Sequence, residues 1–283
     1  MSLVVRRSRF LHYNAGAFVS AGEACLVDPG IVADEVKALV AALGEAEIRA
    51  IVLTHADWDH VLGPEHLPPA PVVAHERFTD ALDPDGVRAA LAQLEADAGI
   101  ARERPFEPPL PNRTFASETA LRVGHLELRL RHAPGHTADM LTVYEPESTM
   151  LWAADVLSDV ELPLVVHDLD SYEATLEHIA ELEIATLVPG HGNPTSDRAE
   201  ITRRLDEDRR YLGELRSAVL ESVTRGADLD EAVAASLRVT LRRAPKDETL
   251  HRLNAEKVYA DLGGNADPAQ VGFAGAWKET TRT

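Results

Sequence analysis

Short β-rich runs alternate with amphipathic helical patterns between residues 18 and 195, and this alternation limits the fold more than any other feature of the sequence. ACLVDPG (24–30) and IRAIVLTH (48–55) predict strands. Between them, VADEVKALVAALG (32–44) has the apolar spacing of a helix that ends at Gly44. Alternation of this kind predicts an α/β fold, in which helices cover the sheets.

Seven further segments continue the alternation. Five of them predict strands and two predict helices, from the spacing of their apolar residues. The predicted strands are APVVAH (70–75), LELRLRHAP (126–134), MLTVYEP (140–146), TMLWAADVL (149–157) and ATLVPGH (185–191). The predicted helices are GVRAALAQLEADAG (86–99) and DSYEATLEHIAEL (170–182).

A proline-rich stretch interrupts this alternation. Residues 101–118 (ARERPFEPPLPNRTFASE) contain four prolines and no regular apolar spacing, so they predict a long loop. A loop of this length inside a compact domain is often a functional lid, although this one could simply tether the neighbouring elements.

The pattern after Pro194 is helical. Asp197 and Glu200 have the spacing of a helix start. Three helical segments follow, at 200–223, 228–237 and 248–264. We therefore predict an α/β domain over residues 1–197 and a helical C-terminal extension over residues 198–283. The extension is expected to pack on the α/β domain or to form a homodimer contact, because so short a helical segment has little core of its own.

The acidic composition argues against polyanionic partners. The chain has 283 residues, with 28 Lys and Arg against 47 Asp and Glu, and its formal net charge is −19. Such a surface repels nucleic acid and anionic membranes. A small anionic substrate is still allowed, because bound metal ions can reverse the local field. We therefore expect a small-molecule substrate, and neither nucleic acid nor a membrane as the main partner.

The only cysteine, Cys25, cannot form a disulfide within the chain, so the sequence favours a reducing, cytoplasmic location. Cys25 itself is expected to be a small buried residue. The segment MSLVVRRSRF lacks the apolar core of a signal peptide, and no run of about 18 apolar residues could cross a membrane.

Residues of metal-binding type follow four of the predicted strands. These four residues are His55, His136, Asp155 and His191. In open α/β sheets, ligands bind beyond the carboxyl ends of the strands, so side chains that are distant in sequence can meet there. The stretch THADWDH (54–60) adds three more residues of the same type, Asp57, Asp59 and His60.

This set of side chains suits metal ions. Imidazole and carboxylate ligands fit zinc, iron and manganese, and no thiolate accompanies them. Asp59 and His60 are adjacent, so they cannot easily serve one ion together with His55 and Asp57. Two divalent ions a few ångströms apart, bridged by Asp155, explain the density of ligands better. Such a pair can hold a hydroxide at neutral pH.

Four motifs, in this order and spacing, resemble those of the metallo-β-lactamase superfamily. They are THADWDH (54–60), APGHT (133–137), AAD (153–155) and PGHG (189–192). The similarity runs from about residue 10 to residue 195, and NAGAFVSAGEACLVDPG (14–30) resembles the strand pair that opens these domains. The resemblance implies an αββα four-layer sandwich with a dinuclear site along one edge of its two sheets, followed here by a C-terminal helical appendage.

The resemblance also implies a role for each candidate ligand. By position, the implied ligands are His55 and His136 for one metal, Asp59, His60 and His191 for the other, and Asp155 as the bridge. Asp59 would also orient the hydroxide, which makes it the predicted catalytic residue. Asp57 occupies the place of the family's usual second histidine.

The aspartate at position 57 bears on the identity of the metals. Zinc is the expected ion, but Asp57 is a harder, anionic ligand that would shift the preference toward iron or manganese. Alternatively, Asp57 is a loop carboxylate that leaves the first site empty. A glutamate at this place is a feature of the flavodiiron branch, which reduces oxygen or nitric oxide. The tail after residue 198 lacks the phosphate loop of that branch's flavodoxin domain.

The function predicted from these residues is that of a metal-dependent hydrolase. A metal-bound hydroxide would attack an ester, thioester, lactone or phosphoester centre in a small molecule. Two alternatives remain open, a non-haem iron oxidoreductase on the same fold and a binding protein with little activity. The near-complete ligand set argues against the binding protein.

Several other residues of interest are expected to have structural roles. His75 and His132 are expected to pack or to support the ligands rather than to bind metal, and Trp152 is expected in the core. His167 and Asp168 lie where this superfamily often has groups that face the substrate, but a structural role is favoured for both.

Overall fold

Two β-sheets and seven α-helices make up the described part of this computed structural model. The structure describes residues 2–102, 104–241 and 247–265. These elements confirm the α/β fold class that the alternation predicted. They belong to two units. The first runs to His132 and includes Asp139–Ala154, and the second comprises Ala133–Ala138 and the described residues from Asp155 onward.

The first sheet lies in the first unit, and its six strands are neighbours in chain order. They are β1 (Ser2–Arg7), β2 (Asn14–Ser20), β3 (Glu23–Val27), β4 (Glu47–Val52), β5 (Val72–His75) and β6 (Arg113–Phe115). Strands β1 to β3 are antiparallel, whereas β3 to β6 are parallel. Because Val27 and Val52 are register partners at the carboxyl ends of β3 and β4, the residues that follow them lie side by side.

The predicted loop at residues 101–118 is wrong in part. Strand β6 lies inside it, and a further strand begins at its last residue, Glu118. The parallel pairing of β6 with β5 begins beside Asn112, whose backbone N–H donates to the carbonyl of Val72 at 3.0 Å. The backbone N–H of Val72 in turn donates to Oδ1 of Asn112 at 3.1 Å. A strand of three residues is too short to show a period in the sequence, so only its pairing reveals it.

The second sheet is antiparallel, and its strands within the first unit are in the order β10-β9-β8-β7. These strands are β7 (Glu118–Val123), β8 (Leu126–His132), β9 (Leu141–Glu145) and β10 (Met150–Trp152). In β8, Leu126, Leu128 and Leu130 are buried, while the residues between them are more exposed. This period of two is the pattern that predicted the strand.

The described part of the first unit contains three α-helices, of which α3 is capped at both ends by residues that the sequence marks. They are α1 (Ala33–Ala42), α2 (Phe78–Ala81) and α3 (Pro84–Ala98). The carboxylate of Asp83 accepts hydrogen bonds from the first turn of α3, and Gly99 ends this helix with a left-handed φ of 65°. The predicted helices at 32–44 and 86–99 are confirmed, whereas α2, β1 and β7 were not predicted individually.

The second unit is mainly helical. It contains α4 (Leu169–Ala180), β11 (Thr186–Val188), α5 (Arg198–Thr224), α6 (Leu229–Ser236) and α7 (Glu248–Asp261). These confirm the four helices predicted after residue 169. Asp197 caps α5, accepting from the backbone N–H of Ala199 at 2.9 Å, whereas Glu200 binds the guanidinium of Arg204 at 2.8 Å instead of completing a capping box.

The proposed boundary after residue 197 stays a prediction, and the part of the extension at residues 242–246 and 266–283 lies outside the described residues. Within the described residues, no helix is both long enough and apolar enough to cross a membrane.

Gly16 in β2 allows Trp152 of β10 to pack against it inside the first unit. Trp152 is fully buried, as predicted. A Cβ atom at position 16 would lie 2.5 Å from Cζ3 of Trp152 and 2.6 Å from the carbonyl oxygen of Val4. The large aromatic ring therefore requires that residue 16 have no side chain.

Gly16→Ala should destabilise the protein by about 1–3 kcal/mol, because neither the backbone of Val4 nor the enclosed indole can move away cheaply. Gly213→Ala is the matched control, since its Cβ would meet nothing within 4 Å inside helix α5. It should raise stability by about 0.5–1 kcal/mol. Thermal unfolding of the three proteins measures both effects, and equal midpoints for wild type and Gly16→Ala would contradict the packing argument.

Candidate metal centre

The buried carboxylate of Asp28 links the ends of β3 and β4. Its Oδ1 accepts a hydrogen bond from the backbone N–H of Thr54 at 2.8 Å, and its Oδ2 accepts one from the Thr54 hydroxyl at 2.7 Å. Oδ2 also lies 3.0 Å from Nδ1 of His60. Asp28 has a left-handed backbone with a φ of 44°, a conformation that aspartate tolerates better than most residues. This one side chain therefore supports the segment after β4 and a histidine further along it.

These contacts determine which ring nitrogen carries the proton in His55 and His60. Thr54 gives its single hydroxyl proton to Asp28, so its oxygen can only accept from Nδ1 of His55, which is 3.0 Å away. Nδ1 of His60 faces a carboxylate, which also only accepts. Both rings are fully buried. Each therefore carries its proton on Nδ1 and presents the Nε2 lone pair as the ligand atom.

Two carboxylates of the same unit lie near these Nε2 atoms. Oδ2 of Asp57 is 3.5 Å from Nε2 of His55, and Oδ2 of Asp59 is 3.8 Å from Nε2 of His60. The Asp57 side chain is 25% exposed and that of Asp59 is 5% exposed. The more exposed carboxylate thus still faces a buried imidazole.

In the second unit, one carboxylate lies between two histidines. Oδ2 of Asp155 is 3.5 Å from Nε2 of His136 and 3.5 Å from Nε2 of His191. Nδ1 of His136 lies 3.0 Å from the backbone carbonyl of Leu164, which can only accept. His136 therefore also carries its proton on Nδ1 and presents Nε2.

Glycines in the PGH segments bring the backbone of this unit close to neighbouring groups. Gly135 has a φ of 137°, and a Cβ there would clash with the backbone of Tyr172 in α4. Gly192 has a φ of 104°, and a Cβ there would clash with the carboxylate of Asp159. Both histidines that adjoin these glycines, His136 and His191, therefore depend on close backbone packing.

Asp159 anchors the turn that follows His191. Its Oδ1 accepts from the backbone N–H of Asn193 at 2.6 Å, and its Oδ2 accepts from the Asn193 amide at 2.7 Å. The guanidinium of Arg204, in α5, is 3.4 Å from the same carboxylate. Burial alone would raise the pKa of Asp159, but the hydrogen bonds from Asn193 and the charge of Arg204 outweigh it and lower that pKa. Asp159 therefore stays ionised and holds the turn.

Within each unit, the structure brings predicted ligands close to one another in pairs. All seven predicted metal residues belong to groups of His and Asp side chains that could hold a metal ion. Those of the first unit are His55, Asp57, Asp59 and His60, and those of the second are His136, Asp155 and His191. Which residue binds which ion, and the catalytic role of Asp59, stay predictions.

His75 and His132 have the packing roles expected of them. His75 stacks on His132 with ring centroids 3.7 Å apart, and its Nε2 lies 2.7 Å from the carbonyl of Ala116. Asp168 caps helix α4, accepting from the backbone N–H of Ser171 at 2.8 Å.

Sequence reasoning missed the groups that support the ligands. Asp28 shares a sequence feature with the predicted ligands, because it is a carboxylate at the end of a strand and is followed by Pro-Gly. No pattern in the sequence marked Asp159 or the carbonyl of Leu164, because their roles depend on contacts made only in the folded chain.

The donor atoms fit a divalent transition metal. Two ligands about 2.0–2.1 Å from a tetrahedral zinc ion lie about 3.3–3.4 Å apart, close to the 3.5 Å that separates Asp57 from His55 and Asp155 from its two histidines. Imidazole nitrogen and carboxylate oxygen are ligands of zinc, iron and manganese. Among the described residues, Cys25 belongs to none of the groups that could hold a metal ion, and burial raises the pKa of its thiol to about 12. It is the buried residue that was predicted.

A sequence model of the metallo-beta-lactamase superfamily matches residues 9–191, which is more than half of the chain. The chain belongs to this superfamily. The membership confirms the family resemblance of the four motifs.

Two relatives and one solved structure illustrate the range of the superfamily around this chain. A beta-lactamase-like protein 2 homolog of Caenorhabditis elegans is 27% identical over 218 residues, covering 71% of this chain and 65% of the relative. A linear primary-alkylsulfatase of Pseudomonas sp. (strain ATCC 19151) is 22% identical over 246 residues, covering 74% of this chain and 47% of that protein. The chain thus spans less than two thirds of either relative.

The solved structure is a metallo-beta-lactamase family protein from Thermus thermophilus. It has a TM-score of 0.64 and 22% sequence identity, and the match covers 93% of each chain. So extensive a match includes the C-terminal helices as well as the sheets. The αββα fold of the metallo-β-lactamase type with a helical appendage, predicted from the motifs, is thereby confirmed.

Asp28→Asn should weaken metal binding by about tenfold to a hundredfold, because an amide has a single acceptor oxygen and cannot accept both from the Thr54 N–H on one side and from the Thr54 hydroxyl and His60 on the other. With the NH₂ group of the amide facing Nδ1, His60 would carry its proton on Nε2, which is the atom that should bind the metal. Zinc affinity, measured by competition with a chromophoric chelator, tests this expectation.

Asp34→Asn is the matched control, since it makes the same chemical change at an exposed carboxylate on α1 that pairs with Arg9. It should leave zinc affinity unchanged. Equal affinities for Asp28→Asn, Asp34→Asn and wild type would show that Asp28 does not support a metal ligand.

Proposed function

We propose that this chain hydrolyses ester-type bonds in small molecules, such as esters, thioesters, lactones or phosphoesters, with two divalent metal ions as cofactors. The observation that carries the proposal is the pairing of buried Nε2 atoms with carboxylate oxygens at ligand-to-ligand distances in both units. Membership of a superfamily of metallo-hydrolases supports the same reaction class. Zinc is the proposed metal, and iron and manganese are the alternatives that Asp57 favours.

The proposed ligand sets follow the prediction from the sequence. By the positions of the residues in the sequence motifs, they are His55, Asp57 and His136 for the first ion, Asp59, His60 and His191 for the second, and Asp155 as the bridge. The equal distances of 3.5 Å from Asp155 Oδ2 to His136 and to His191 support a bridging carboxylate, since each of these histidines would serve a different ion.

The chain's own groups would hold and orient the reactants. Bound metal ions would lower the pKa of a water molecule and polarise the electrophilic centre of the substrate. Asp59, with its side chain almost fully buried, would accept a hydrogen bond from that water and aim it at the substrate. Asp28 and Leu164 would keep the protons of His60 and His136 on Nδ1 throughout the reaction.

Metal content and substrate turnover distinguish the proposed hydrolase from the two alternative functions on this fold. A non-haem iron oxidoreductase would carry iron and react with oxygen, and a binding protein would turn over none of the test substrates. Sulfate esters enter the test because one relative is an alkylsulfatase. A cytoplasmic location and a homodimer stay predictions.

The purified protein should contain up to two transition-metal ions per chain and should hydrolyse at least one substrate in a panel. The panel would hold a nitrophenyl ester, a thioester, a lactone, a nitrophenyl phosphodiester and an alkyl sulfate. Chelation or Asp155→Ala should lower turnover by orders of magnitude, and Asp155→Ala should also lower the content of both ions.

Asp170→Ala is the matched control for this experiment, because Asp170 is an exposed carboxylate of the same unit that pairs with Arg216. It should retain wild-type metal content and turnover. Protein that contains no metal and takes up none would contradict the proposal, as would an Asp155→Ala variant that behaves like Asp170→Ala.

Asp57→His should shift the metal preference toward zinc, because imidazole is neutral and softer than carboxylate. Asp57→Ala should weaken one of the two sites and spare the other. Elemental analysis after exposure to equal concentrations of zinc, iron(II) and manganese(II) measures both outcomes. Identical metal content in wild type and both variants would show that Asp57 is a loop carboxylate and not a ligand.

A further inference from the structure

We infer that Asn254, on helix α7, is a positioning residue for the metal ligand His136 and acts through the segment Pro163–Val165. This inference rests on the proposed function, because it assigns a role toward the same metal site. Asn254 is fully buried and lies 89 residues from Val165 in sequence. No motif marks it.

The first part of the connection is between His136 and Leu164. The Leu164 carbonyl accepts from Nδ1 of His136 at 3.0 Å. The backbone carbonyl of His136 in turn accepts from the N–H groups of Val166 and His167, each at 3.0 Å. Both the ring and the backbone of His136 therefore bind the segment after Pro163, and this segment orients the imidazole. A shift of Leu164 would rotate the imidazole or remove the acceptor for its Nδ1 proton.

The second part of the connection is between that segment and Asn254. Oδ1 of Asn254 accepts from the backbone N–H of Val165 at 2.8 Å, and its Nδ2 donates to the carbonyl of Pro163 at 2.9 Å. The amide thus binds the residues on both sides of Leu164. In an extended chain, neighbouring residues direct their backbone polar groups to opposite sides, and alternate residues direct them to the same side. Binding Pro163 and Val165 on one side therefore leaves the Leu164 carbonyl to point to the other, toward His136.

A chain of buried hydrogen bonds fixes the orientation of the amide. Nδ2 of Asn254 also donates to the Tyr211 hydroxyl at 3.2 Å, and that hydroxyl lies 2.8 Å from Nδ1 of His251. Nε2 of His251 lies 3.1 Å from the carbonyl of Ser236, which can only accept. Nε2 therefore carries the His251 proton, and Tyr211 donates to Nδ1. Residues on α5, α6 and α7 thus hold Asn254 with its NH₂ group toward Pro163.

A merely structural role for Asn254 makes a different prediction from a positioning role. Tyr259 is the matched comparison, because it lies on the same helix and its buried hydroxyl donates to the carbonyl of Ala227 at 2.8 Å. Tyr259→Phe removes one buried hydrogen bond of α7 without touching the segment Pro163–Val165. If Asn254 only stabilises the helices, its variants and Tyr259→Phe should behave alike.

The experiment compares Asn254→Asp, Asn254→Leu and Tyr259→Phe with wild type in the full chain. Aspartate keeps the acceptor for Val165 but loses the donor for Pro163, and leucine loses both. The first readout is zinc affinity by competition with a chromophoric chelator. The second is the tautomer of His136 in metal-free protein, from long-range ¹H–¹⁵N correlation spectra of the imidazoles. This second readout needs neither metal nor turnover.

Both Asn254 variants should bind one zinc ion about tenfold to a hundredfold more weakly, with the other ion little changed. The His136 resonances should shift toward the form with its proton on Nε2. Tyr259→Phe should lower the unfolding temperature but leave affinity and tautomer as in wild type. Asn254→Asp is retained as the milder variant in case Asn254→Leu does not fold.

Two results would overturn the inference while leaving the proposed function intact. One is wild-type zinc affinity and a wild-type His136 tautomer in a folded Asn254 variant. The other is an equal loss of affinity in Tyr259→Phe. Wild-type protein that binds no zinc, iron or manganese would instead overturn the proposed function and the inference together.

Discussion

A buried imidazole can offer Nε2 to a metal only if its Nδ1 proton has an acceptor, and this constraint organises the candidate ligands in both units. Leaving that proton without an acceptor would cost about 1–3 kcal/mol for each ring. In the first unit the acceptors are side chains, the Asp28 carboxylate for His60 and the Thr54 hydroxyl for His55. In the second unit the acceptor for His136 is the Leu164 carbonyl. The ligands therefore come with supporting groups that are as specific as the ligands.

The groups that support the histidines are positioned in a different way in each unit. Asp28 and Thr54 follow neighbouring parallel strands, so the sheet register already brings them together. Leu164 belongs to a segment outside the helices and strands, and its position depends on side chains that reach it from α7. Helices that carry no recognisable motif can thus matter to a metal site through buried polar contacts. Arg204 of α5 has a comparable place beside the turn after His191, since it donates to the carbonyl of Asn193 at 3.0 Å.

The charge of the candidate ligands suits divalent ions. Asp57, Asp59 and Asp155 bring three carboxylates among the seven proposed ligands, in a chain whose formal net charge is −19. A buried carboxylate such as that of Asp59 raises the free energy of the folded state unless a cation or hydrogen bonds accompany it. Metal binding should therefore stabilise the fold as well as supply the chemistry. Asp57 stands where the family usually has a histidine, so it adds one negative charge to the candidate ligands. This charge favours harder ions.

The sequence by itself determined the α/β alternation, the helices after residue 197 and the family, because period and motif spacing are local properties of the chain. It also singled out the seven candidate ligands, which lie in short motifs at strand ends. It did not reveal strand β6, whose three residues become a strand only by pairing with β5. Nor did it reveal Asp28 or Asn254 as supporting residues. Asp28 meets Thr54 across 26 residues and Asn254 meets Val165 across 89, so only the tertiary structure decided which acceptor each buried histidine received.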